Sequence, residues 1–242
     1  LEIIYAAAEL GPHKFRLIMD DLRDDIEQRL GILDAGRVKV MILYLAKICP
    51  NCLRVMLSRF RGKISDILIK THFNDIVILV LNIAVLDEDS AMIFIEEMED
   101  TIKKLASSEG FKHFGTVLWY IAIMKKTRVA KKMLDVLLEF LRRKSRTLTE
   151  MGDLLFWLSK GDDELGLFAV DLLKDQMIIL LKRATVHDMA AFLTIISKHD
   201  KLARKVMGIL NAHLEYKLRD PIYSERLMDL LRVLRVPLNT LI

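Results

Sequence analysis

Gly11-Pro12-His13-Lys14-Phe15-Arg16 reads as a proline-closed corner between two apolar helical stretches, and 38 residues later it returns as Cys49-Pro50-Asn51-Cys52-Leu53-Arg54. Four more corners follow: Asp87-Glu88-Asp89-Ser90-Ala91-Met92, Lys126-Thr127-Arg128-Val129-Ala130-Lys131, Asp162-Asp163-Glu164-Leu165-Gly166-Leu167 and His199-Asp200-Lys201-Leu202-Ala203-Arg204. Aligned on Lys14, Cys52, Ala91, Ala130, Gly166 and Ala203, they step by 38, 39, 39, 36 and 37 residues. Four of these six anchors are small residues, as expected where two helix axes close to about 8–10 Å at a tight corner.

Working outward from the corners, Thr147-Leu148-Thr149-Glu150 and Thr185-Val186-His187-Asp188 have the pattern of capping boxes, in which the Thr oxygen and the acid satisfy each other's backbone donors. Asp34-Ala35-Gly36, Ser107-Ser108-Glu109-Gly110 and Asp220-Pro221 punctuate the other boundaries. The expectation is an all-α chain, one domain over residues 1–242. It is an α-solenoid of about six antiparallel helix hairpins, closed by a C-terminal capping helix over Tyr223 to Ile242.

Composition agrees. The chain has 10 Gly and 4 Pro in 242 residues, about half the usual share of turn formers, which excludes a fold of many short strands. At 52% hydrophobic and 29% charged, with a net charge of +4, it is too apolar to be disordered. The longest apolar run, Ile76 to Leu86, contains Asn82 and falls well short of the ~20 residues that cross a bilayer. The N-terminal residues lack a basic stretch and cleavage site, so a cytoplasmic protein without membrane association is expected. Two Gln and five Asn beside 70 charged residues give a thermophile-like balance.

The Pro-x-x-apolar-Arg corners at Pro12–Arg16 and Pro50–Arg54, with the acidic corners at Asp87, Asp162 and Asp200, resemble the turn of HEAT repeats. Four corners lack the Pro, and the Arg is displaced or missing in the third to fifth repeats, so the resemblance is to a degenerate HEAT-like or armadillo-type array. It implies a non-catalytic scaffold that binds another macromolecule, a protein above all, through its concave face or a basic edge. Certain alkylpurine DNA glycosylases are also HEAT-like solenoids of similar length. That second reading implies nucleic acid in a basic concavity lined by exposed aromatics and a carboxylate.

Charges can be compared through the repeat. Asp87 and Asp89 align with Lys126 and Arg128, these with Asp162 and Glu164, and Glu164 with Lys201, the pattern of ion pairs that fix stacking. Lys103 and Lys104, then Arg142, Arg143, Lys144 and Arg146, then Lys182 and Arg183, then Lys217 and Arg219 recur at the ends of second helices without matching acids nearby. They either complement helix dipoles or form a positive ridge for an acidic protein segment or a phosphate backbone. Arg128 to Arg146 reads as one continuous polar face of a single helix. Residues 1–110 carry a net −4 and 111–242 a net +8, two poles that would suit head-to-tail association of copies.

Cys49-Pro50-Asn51-Cys52 has redox-motif spacing but no βαβ context, leaving a packed pair, a local disulfide or a redox role. The six His lie at 13, 72, 113, 187, 199 and 213, with no nucleophile implied beside them. No phosphate loop, no metal-ligand spacing and therefore no cofactor is expected. Trp119 and Tyr120 align with Leu155 and Phe156 and are expected in the core. Trp157 falls at a mixed, partly exposed position.

Overall fold

The computed structural model describes residues 1–108 and 114–218, and among these it is all helical, with no strand. The chain, read from its sequence as one domain, divides into two compact units, Leu1–Val136 and the part from Leu137 onward. The first holds α1 (Glu2–Glu9), α2 (Pro12–Asp21), α3 (Arg23–Gly31), α4 (Ala35–Ile48), α5 (Pro50–Arg59), α6 (Arg61–Leu68), α7 (Phe73–Leu86), α8 (Glu88–Glu97), α9 (Glu99–Ser108), α10 (Phe114–Ile123) and α11 (Thr127–Val136). The second holds α12 (Leu138–Lys144), α13 (Leu148–Gly161), α14 (Asp163–Arg183), α15 (Val186–Ile196) and α16 (Asp200–Leu218). No described helix is long and apolar enough to cross a membrane.

Helix starts follow local chemistry. Pro12 and Pro50 open α2 and α5 at a position whose N–H needs no partner. Asp34, Asp87 and Asp162 cap α4, α8 and α14 by accepting first-turn N–H groups, and the capping boxes at Thr147/Glu150 and Thr185/Asp188 are both formed.

Burial follows one strict register. In the first unit Ile4, Ile42, Val80 and Leu118 are buried 38 residues apart, as are Ala8, Ala46, Ala84 and Ala122. In the second, Leu154, Leu155 and Leu158 recur 38 residues on as Phe192, Leu193 and Ile196, all buried. The alanines keep the α1, α4, α7, α10 series slim where the following segments close on it. On α8, the Ser90 hydroxyl donates to the Ala46 carbonyl at 3.2 Å, and one repeat earlier the Cys52 sulfur lies 4.0 Å from the Ala8 carbonyl.

Contacts run between near neighbours: α4 packs on α1, α5 and α7, and α7 on α4, α8 and α10. In the second unit α13 packs on α14 and α15, and α14 on α16. α7 is apolar almost all round, and seven of its 14 residues are buried, while Val85 at its C-terminal end is 70% exposed.

One expectation changes. The polar face from Arg128 to Arg146 is not one helix: the chain leaves helical geometry at Leu137, so α11 and α12 are separate, and Arg146 lies beyond α12. The same break occurs at Leu22, Phe60 and Met98, where φ is −105°, −111° and −108°. No Gly or Pro stands at these positions. Phe60 and Met98 are buried, and the segments after them, α6 and α9, pack back on α4 and α7, so packing bends the chain where propensity would continue it. The capping helix expected over Tyr223 to Ile242 lies outside the described residues.

Candidate functional site

The expected corner ion pairs form within the first unit, with one shift of partner. Arg128 meets Asp89 at 2.9 Å, whereas Lys126 meets Glu88 at 3.9 Å because the Asp87 carboxylate is engaged as the α8 cap, accepting from the Ser90 N–H at 2.6 Å. Within the second unit Lys201 pairs with Asp163 at 2.6 Å, not with Glu164, and His199 approaches the same carboxylate at 2.9 Å. The Lys201 hydrogen bond, more than the charge of His199, holds the Asp163 carboxyl below the usual aspartate range.

The proposed ridge divides between the units. Lys103 and Lys104 lie on α9 in the first. Lys103 is paired with Glu99 at 2.5 Å, which raises the lysine and lowers the glutamate relative to their ordinary values, and Lys104 is exposed. In the second unit Arg142, Arg143 and Lys144 end α12, which packs on α14, and the Gln176 amide donates to the Ser145 carbonyl at 3.4 Å. Lys182 and Arg183 close α14 itself.

The reading that these cations lack nearby acids is corrected for two of them. Glu99 lies one turn before Lys103 and Glu139 holds Arg142 at 3.0 Å, while Glu150 accepts only the backbone N–H of Arg146, at 2.8 Å, as part of the α13 cap. The partners stand on the same helix, where comparison between repeats does not look. Burial and the neighbouring Arg146 push the Lys144 ammonium below its ordinary value. Among the described residues Lys104, Arg143, Lys182 and Arg183 have no carboxylate in reach. The side chain of Lys217, on α16, and the whole of Arg219 lie outside the described residues.

A surface that sequence reasoning missed lies on α13. Trp119, expected in the core, is 42% exposed on α10, and Trp157 is 37% exposed on α13. The error is one of register. The buried first-helix positions step by 37 residues from Leu118 to Leu155, which sets Trp119 opposite Phe156 and Tyr120 opposite Trp157. Alignment on the corners used 36, because Lys125, with φ +49°, is an extra corner residue. The alanine series was the signal that could have fixed it.

On α13 the Phe156 and Trp157 rings meet edge to face, centroids 5.9 Å apart. The Lys160 ammonium lies 5.0 Å from the Trp157 ring and the Lys198 ammonium 5.8 Å from the Phe156 ring, in cation–π range. One turn before Trp157, burial raises the Asp153 carboxyl above its ordinary value while Lys198 pulls it back.

Other candidates give less. Cys49 and Cys52 form a disulfide with Cα atoms 5.1 Å apart, and both are buried. His13, His72 and His187 are exposed, His199 joins Asp163, His113 is outside the described residues, and so is the side chain of His213. No group of three metal-ligating side chains occurs among the described residues.

The charge poles also soften at the structural boundary. Residues 1–136 carry 20 basic and 19 acidic residues, a net of +1, and residues 137–242 carry 17 and 14, a net of +3. Compared with protein-family profiles, curated proteins and solved structures, the chain matches none.

Proposed function

We propose that this chain is a HEAT-like or armadillo-type α-solenoid, a non-catalytic cytoplasmic scaffold that holds another macromolecule, a protein in first place, against a basic edge. The observation that carries the reading is the buried 38-residue register combined with contacts between near neighbours. That is how stacked helix pairs share one extended core and leave long surfaces free. Arg143, Lys182 and Arg183 support the edge, since they are exposed in the last turns of α12 and α14, two helices that pack together, without acids in reach among the described residues.

An acidic polypeptide is the matching ligand, drawn by charge and weakened by salt. Fluorescence anisotropy with labelled poly-glutamate at two salt concentrations tests this. Binding should fall with salt and be lost when Arg143, Lys182 and Arg183 are all changed to Glu. Equal affinity of that variant removes the edge from the reading.

A nucleic-acid-binding protein of the glycosylase type is the second reading, favoured by the exposure of Trp119 and Trp157. Against it, the cations that touch the Trp157 and Phe156 rings are Lys160 and Lys198, and none of the edge arginines is among them. Incubation with alkylated duplex DNA should release no base, and release would establish this second reading.

A further inference from the structure

We infer that the exposed face of α13, with Lys198 from the segment after α15, is a docking surface for single-stranded nucleic acid, in which an unpaired base stacks on Trp157 while Lys160 and Lys198 take its flanking phosphates. This goes beyond the scaffold reading and does not depend on the basic edge.

Three observations meet here. First, a Trp and a Phe are accessible side by side, Trp157 exposed and Phe156 half-buried, with centroids 5.9 Å apart. A π-face open to solvent accepts any base, but only when that base is out of a duplex. Second, both lysines lie over these rings and neither forms an ion pair within 4 Å among the described residues, although Asp153 is near enough to Lys198 to feel its charge. Elsewhere in the unit Lys201 and Lys205 each hold an aspartate, at 2.6 and 2.5 Å. Two cations outside any close ion pair, beside an aromatic pair, match a ligand that is both anionic and flat, which a nucleotide is and a glutamate-rich peptide is not. Third, Asp153 sits one turn from Trp157, within the ~5–6 Å that separates such neighbours on a helix, and a carboxylate accepts from exocyclic amino groups. It should favour cytosine or adenine over thymine at the stacked position.

The experiment uses the full chain with Trp119→Phe, so that Trp157 is the sole reporter. Titration with a short oligo(dC) should quench Trp157 emission. The affinity should fall with salt at about −0.7 in log–log slope per phosphate neutralised. Oligo(dT) should bind more weakly, and Asp153→Asn should narrow that difference. In the native background, anisotropy of labelled oligo(dC) should show a loss of about five-fold or more for Trp157→Ala, partial retention for Trp157→Phe and loss for the Lys160→Glu/Lys198→Glu pair. All four side chains are at the surface, and far-UV circular dichroism checks each fold.

No quenching by either oligonucleotide overturns the proposal. So does unchanged affinity of folded Trp157→Ala or of the lysine pair, as does selective binding of poly-glutamate at these residues. If oligonucleotide binding is lost on reversal of Arg143, Lys182 and Arg183 but kept by Trp157→Ala, nucleic acid is held at the edge and this surface is refuted, while the edge stands.

Discussion

Gly166 sits where α14 comes closest to α13: a Cβ built there would lie 1.8 Å from the Ser159 hydroxyl and 2.8 Å from the Ser159 Cα. Backbone cannot yield as a flexible side chain can, so Gly166→Ala should cost about 1–3 kcal/mol or more by chemical denaturation. Gly62→Ala on α6, with nothing within 4 Å, should instead stabilise by about 0.5–1 kcal/mol. Ser159 occupies the place of the alanine series, and its buried hydroxyl has no partner, so Ser159→Ala should be neutral or stabilising by about 1 kcal/mol. At Asp163 the folded value lies below the unfolded one. Its contribution is therefore present above the ordinary aspartate range and is lost as pH falls through the lowered value. Lys201→Met should move the Asp163 titration upward by NMR, and an unmoved curve would show that Lys201 is not the cause.

At the scale of elements, what the sequence made legible is what local chemistry fixes: both threonine boxes, the proline starts and the six corners. Thr147→Ala should cost about 0.5–2 kcal/mol in thermal unfolding, because it leaves the first turn of α13 without its cap. The breaks at Leu22, Phe60, Met98 and Leu137 were illegible, since no Gly or Pro stands at them, and after Phe60 and Met98 the chain is held by packing of α6 on α4 and of α9 on α7. The aromatic pair on α13 was hidden for a different reason. A corner alignment counts residues, whereas a side chain's direction depends on the helix register, and one residue of error rotates a position by about 100°. The acids that answer Lys103 and Arg142 stayed hidden because they lie along the same helix and not at aligned positions.

For the whole molecule, the division at Val136 predicts that residues 1–136 expressed alone keep their helix content and melt cooperatively. A broad, non-cooperative melt would show that the first unit depends on the second. Counted by unit, the net charges are +1 and +3, the same sign, which argues against attraction of one unit for the other between copies of the chain. Sedimentation should accordingly show no association that strengthens as salt is lowered.

Lys125 carries a left-handed backbone at the corner before α11, and beyond it the buried series resumes at Ser159, 37 residues after Ala122, where Ala84 and Ala122 stand 38 apart. The stretch between the buried positions takes up the difference in length, and Ala122 and Ser159 are both buried all the same. Spacing thus varies within this chain where burial does not. Distant kin should be sought by matching phase with gaps allowed at the corners, not by a fixed period.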